Sequence, residues 1–180
     1  EADEGRLNKL LQMSGTLQKE KTNMRYEVEL KKLDAVKVLS LRGTIPQYNQ
    51  ESLLWEKLGR YIGEHQIACH NDGYSTYYDE EYKDSNPDVE VAIPVDELGK
   101  SQGEFVFQEY PAIALAATLR FSGPFDGGYD AAGEQLAQWI EQNGYAFAGH
   151  LRGHVIVSPD EQPNPEHWLT ELQAPVRKIQ

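Results

Sequence analysis

The segment Val89-Glu90-Val91-Ala92-Ile93-Pro94-Val95 has a near copy 81 positions later, Thr170-Glu171-Leu172-Gln173-Ala174-Pro175-Val176. Both read as a strand with alternating side chains that stops at Pro-Val. A second match, at an offset of 77, relates Leu33-Asp34-Ala35-Val36-Lys37-Val38 to Tyr110-Pro111-Ala112-Ile113-Ala114-Leu115. An amphipathic helical pattern follows each copy. A chain made of two similar halves places a pseudo-symmetric surface between them, and a cleft at such a junction is a common place for a small ligand.

Local patterns fill in each half. Tyr26, Val28 and Leu30 alternate with charged residues as a half-buried strand, and Lys32-Leu33-Asp34 reads as a tight connection to a second strand, Ala35 to Gly43. A helix over about 50–65 places Leu54, Leu58, Tyr61 and Ile62 on one face with Trp55 on the flank. A strand near Tyr74 to Tyr78, an acidic loop from Asp79 to Asp88 and the strand Val89 to Val95 complete the half. The order returns after a polar linker, Asp96 to Gly103. Strands Glu104 to Glu109 and Ala112 to Phe121 precede a helix over about 127–143 that stops at Asn143-Gly144. Strands at about 151–157 and from Trp168 to Val176 close the chain.

Each half therefore reads β-β-α-β-β, with repeat 1 over about 25–96 and repeat 2 over about 103–180. The expected architecture is α+β with pseudo-two-fold symmetry: antiparallel sheets, each covered by a helix, and a ligand cleft between the halves. Residues 1–24 carry Leu7, Leu10, Ser14 and Leu17 at heptad spacing and read as the end of a dimerising linker helix, or equally as a frayed terminus. A start at Glu1 rather than Met reads as a fragment, with a further segment expected before it.

Composition excludes several roles. A net charge of −12 argues against this chain gripping nucleic acid itself, because phosphate binding needs a basic face. The single cysteine, Cys69, permits no disulfide framework or zinc cluster within one chain and fits a reducing cytoplasm. No apolar run reaches the roughly 18 residues of a membrane helix. Gly-rich phosphate loops, HExxH and GxSxG are missing, and His65 and His70 flank Cys69 at no standard ligand spacing, so no catalytic residue, cofactor or metal is expected. Aromatic residues carry more information. Trp55, Tyr77, Tyr78, Tyr82, Phe125, Tyr129, Trp139 and Trp168 supply core, but aromatic walls with a few polar tips also make pockets for flat or cationic organic molecules.

The ordered set of motifs resembles a known family. Tyr77-Tyr78-Asp79-Glu80-Glu81-Tyr82 followed by Asp88 to Val95, then Tyr110-Pro111-Ala112, Gly123-Pro124-Phe125 and Trp168 to Val176, is similar to the gyrase-inhibitor-like effector-binding domain. The match runs from about residue 25 to the end. The resemblance implies the duplicated fold and a cytoplasmic sensor of a drug or metabolite. Leu17 to Val38 looks like the junction in MerR-type regulators, where a dimerising helix leads into the sensor; AraC-type regulators carry such domains too. It implies a homodimer in the full-length protein, with DNA contacted only through an absent N-terminal domain. Multidrug-binding members carry a buried Glu within Arg-Glu-Val-Tyr-Leu-Ser, where this chain reads Gly153-His154-Val155-Ile156-Val157-Ser158. His154 in that position points to a neutral or anionic aromatic ligand, since a protonated His repels a cation.

The expected pocket lining is Tyr48, Trp55, Tyr77, Phe125, Tyr129, His154, Ile156 and Trp168. The leading expectation is the ligand-sensing domain of a MerR-type regulator. Alternatives are a stand-alone binder or small-molecule hydrolase on the same fold, with His154 acting beside a Tyr, and an acidic module that inhibits a partner enzyme.

Overall fold

Alternation of apolar and polar side chains folds as extended backbone through both repeats. The computed structural model describes residues 26–125 and 128–180; the expected dimerising helix over 1–24 lies outside them. The strands are β1 (Val28–Leu33), β2 (Val36–Thr44), β3 (Tyr74–Tyr77), β4 (Asp88–Pro94), β5 (Phe105–Tyr110), β6 (Ile113–Ser122), β7 (Tyr145–Phe147), β8 (Leu151–Val157) and β9 (Leu169–Lys178). Among the described residues two α-helices, α1 (Ser52–Glu64) and α2 (Gly128–Gln142), join them. At three residues, β7 is too short for alternation to register in sequence; it pairs with β9.

The halves exchange strands. Instead of folding back on β2, β1 pairs with β6, while β5 pairs with β2. The pairs Val28↔Leu119 through Leu33↔Ile113 continue as Val36↔Tyr110 through Leu41↔Phe105 in one antiparallel ladder. Lys32-Leu33-Asp34 is thus no hairpin turn; the chain passes straight on across the pseudo-two-fold axis. Between Lys31↔Ala116 and Leu33↔Ile113, β6 carries one residue more than β1. That bulge shifts the repeat's register, so Val38 and Ala116, both opposite the proline of a Pro-Val pair, are the equivalent residues rather than Val38 and Leu115.

The remaining pairings run β2–β4–β3–β8–β9–β6, so the strands form a closed circuit. Both helices pack outside it. Leu54 and Leu58 of α1 sit on Leu39, Leu41, Val89 and Val91, and Ala132, Leu136 and Ile140 of α2 sit on Leu119, Phe121, Leu172 and Ala174. Each fully buried Leu contributes about 2 kcal/mol of transfer free energy. α2 ends at Gln142, and Gly144 two residues on has a φ of +78°, which suits glycine.

The enclosed face is polar. Ser40, Thr76, Glu90, Arg152, Glu171 and Gln173 are all buried there. Buried polar groups need partners. Glu90 accepts from Tyr110 Oη at 2.6 Å and Tyr78 Oη at 3.2 Å. Arg152 Nε donates to Gln173 Oε1 at 2.8 Å, and Gln173 Nε2 donates to Glu171 at 2.9 Å. Lys31 Nζ at 2.9 Å and Arg120 Nε at 2.8 Å complete the shell of Glu171.

Burial by itself lifts the pKa of a carboxyl group, yet the hydrogen bonds from Arg120, Gln173 and Lys31 hold Glu171 below the ordinary carboxylate range. A folded-state pKa below the unfolded one gives stability that is fully present above the unfolded carboxylate range and is lost as pH falls toward the folded value. Glu171→Gln is therefore expected to lower stability at neutral pH and to flatten its decline below about pH 4.5. Urea denaturation from pH 7 downward checks this; an unchanged acid slope would show that Glu171 is not linked to folding.

Candidate functional site

The closed circuit puts β3 and β8 side by side on the axis, with a helix flanking each. A cavity of about 1820 Å³ lies over them between α1 and α2. Ligand pockets commonly span roughly 300–1,000 Å³, so this one has room for a large organic molecule. Residues one turn apart on a helix share a face. On α1 that face shows Glu51 (just before the first turn), Trp55 and Gly59; on α2 it shows Tyr129, Gly133 and Ala137. Gly73 just before β3, Tyr77 at its end and Leu151 and Val155 of β8 contribute the floor, and the loops at 79–84 and 158–160 form the mouth.

Glu51 organises the first-half wall. One carboxylate oxygen accepts from Trp55 Nε1 and Ser75 Oγ, both at 2.9 Å, and the other from Tyr77 Oη at 3.0 Å. The rings of Tyr77 and Tyr129 meet in a T-shaped contact with centroids 6.2 Å apart. Burial, and then the charge of Glu51, push both phenols above their ordinary pKa, Tyr77 well above. They stay protonated at neutral pH, and Tyr77 is a neutral donor to the carboxylate.

Two glycines make this packing possible. A Cβ on Gly73 would stand 2.5 Å from the Trp55 ring, and one on Gly153 would stand 2.5 Å from the Tyr129 hydroxyl. The site is asymmetric although the fold is not. Aligning the buried helix residues Leu54 and Leu58 with Ala132 and Leu136 makes Tyr129 the equivalent of Glu51 and Gly133 that of Trp55.

Five of the eight expected residues line this cavity: Tyr48, Trp55, Tyr77, Phe125 and Tyr129. Tyr48 meets Tyr77 edge-on at 6.1 Å and Tyr82 at 5.3 Å. His154, Ile156 and Trp168 do not line it. Strand parity explains His154. Gly153 and Val155 face the helices, so His154 points to the enclosed face, where its ring stacks on Tyr74 at 4.2 Å and Nε2 lies 3.0 Å from Asp72 Oδ2. Ile156 sits at the irregularity between Val155 and Val157. Trp168 stands behind the wall, stacked on Phe125 at 4.9 Å with its Nε1 donating to Gln162 O at 2.8 Å.

Glu51 was not among the expected residues. The signal for it is its spacing of one turn before Trp55 and two before Gly59, masked by the ordinary frequency of acidic residues at helix starts. Among the described residues, no group of three or more His, Cys, Asp or Glu is placed to hold a metal ion, and no helix is long and apolar enough to cross a membrane.

Gly153→Ala is expected to push Tyr129 off β8 and break its contact with Tyr77. In an alkaline titration followed by tyrosinate absorbance, a further phenol should then ionise in the ordinary range near about pH 10. An unchanged curve would mean that Tyr129 keeps its place.

Comparison with solved structures places this geometry. EcmrR in complex with DNA shares 31% sequence identity and a TM-score of 0.80, over 94% of this chain and 65% of that one. This chain thus spans less than two thirds of that neighbour's length. The C-terminal domain of EcmrR is also 31% identical, with a TM-score of 0.74 over 86% of this chain and 99% of that one. A hydrolase from Listeria innocua shares the fold at 11% identity, with a TM-score of 0.57 over 89% and 98% of the two chains. No curated protein matches the sequence. The GyrI-like small molecule binding domain matches residues 26–177, and the chain belongs to that family.

Proposed function

We propose that the chain is the ligand-sensing domain of a MerR-type transcription regulator, and that its cleft binds an aromatic organic molecule carrying positive charge, a drug or a metabolite. The observation that carries this reading is the Glu51 carboxylate, held by Trp55, Ser75 and Tyr77 against the wall of an aromatic-lined cavity. A carboxylate shielded from water attracts a cation more strongly than one in solvent. The faces of Trp55, Tyr77 and Tyr48 add cation–π attraction. The expectation of a neutral or anionic ligand rested on His154 facing the ligand, and His154 lies on the other side of the sheet.

The regulator role is supported by the likeness to EcmrR, which was captured on DNA. A net charge of −12 suits a domain that leaves DNA contact to another part of the protein. The full-length protein is a cytoplasmic homodimer in this reading. Ligand entering between the halves biases the geometry of the DNA-binding part by binding one conformation better than the other. Binding is non-covalent.

A matched probe pair tests the charge preference: 10-methylacridinium, a cation, and acridine, neutral at pH 7.5. A ligand that binds only the folded state raises Tm with concentration. The cation is expected to raise Tm more than acridine. Glu51→Gln should weaken the cation by at least about tenfold, about 1.4 kcal/mol, and leave acridine nearly unchanged. Equal binding of both probes by both proteins would refute Glu51 as the charge-selecting group.

A further inference from the structure

Glycine inside a helix costs stability relative to alanine, because it gains flexibility in the unfolded chain and packs no side chain. A folded protein keeps such a glycine for a left-handed backbone or for a close approach by another group. Neither reason applies to Gly133, the sixth residue of α2. Its φ is not positive, and a Cβ built on it meets nothing within 4 Å. Several other glycines of this protein have evident internal reasons. A Cβ would collide with Trp55 at Gly73, with Phe121 at Gly128 and with Tyr129 at Gly153.

Gly133 does line the cleft, between Tyr129 and Ala137 on the same stripe of α2. Its counterpart in the first repeat is Trp55, the largest side chain on the α1 wall. One wall is therefore aromatic and the other bare at the same level. Gly59, one turn beyond Trp55, also lines the cleft with open space at its Cβ position. Gly63 is open too, but it lies in the last turn of α1 and does not line the cleft.

We infer that Gly133 is a specificity-determining residue: its missing side chain is space reserved for the ligand. The ligand class that uses this space is a flat polycyclic aromatic cation. It lies with one face on Trp55 and the other on the exposed backbone of α2, its charge at Glu51. The inference rests on the reading of the cleft as the ligand site and adds the shape selected there.

The test compares apo stability with affinity. Gly133→Ala and Gly63→Ala should each raise the apo Tm by a few degrees, about 2–4 °C for a chain of this size. Only the change at Gly133 should weaken 10-methylacridinium, and Gly133→Leu should weaken it by at least about tenfold, with a normal circular dichroism spectrum. Gly63→Ala should bind as wild type does. If Gly133→Leu binds the probe as tightly as wild type, the inference fails while the cleft reading stands. A fall in apo Tm for Gly133→Ala would reveal an internal packing role and overturn it as well. If the wild-type chain binds no aromatic cation, the cleft reading itself fails and takes the inference with it.

Discussion

The antiparallel ladder between residues 28–41 and 105–119 decides the shape of this molecule. Because each repeat lends its first strand to the other, neither half completes its sheet alone. The exchange closes the strand circuit, and closure encloses a polar face that an open sheet would leave in water. Glu90, Arg152 and Glu171 are buried there, each with hydrogen-bonding partners. The same closure sets β3 against β8 on the axis, through pairs such as Ser75↔Gly153. Both helices are left outside, facing one another across that floor. The cleft follows from the topology; the residues that line it are free to diverge.

They have diverged by position. Pseudo-symmetry supplies two equivalent walls, and substitution made them unlike. Glu51, Trp55, Ser75 and Tyr77 build a carboxylate held by three donors on one side. The equivalent second-half positions, Tyr129, Gly133, Gly153 and Val155, hold a phenol, two glycines and an aliphatic residue. Gly153 lets Tyr129 lean over β8 and reach Tyr77, so the two walls meet near the axis. Glu51, whose second-half equivalent is Tyr129, thus sets a carboxylate off-centre on the first wall.

Much of this was legible in the sequence. The copy of Val89–Val95 at Thr170–Val176 marks β4 and β9, and the buried spacing of Leu54 and Leu58 and of Ala132, Leu136 and Ile140 marks the helices. Asn143-Gly144 marks the end of α2. The strand exchange was not legible. A short polar link such as Lys32-Leu33-Asp34 looks the same whether the chain turns back or runs on, because the partner strand lies more than 70 residues away. The face of His154 was hidden for a related reason. Alternation says which residues share a face, but the apolar Ile156 and the small Gly153 left open which face met the helices. Side chains found from their aromatic character alone, such as Tyr77 and Tyr129, fell in the cleft. Trp168 did not, since stacking on Phe125 and donating to a backbone carbonyl use both its face and its N–H.

In the proposed binding mode an organic cation sits between α1 and α2 with its charge at Glu51. The most direct measurement is a crystal structure of the chain with 10-methylacridinium. The proposed mode places the ring system against Trp55 within the cleft, the ring nitrogen within about 6 Å of the Glu51 carboxylate, and Tyr77 still donating to that carboxylate. A ligand held outside the cleft, or inside it with its charge directed away from Glu51, would contradict that mode.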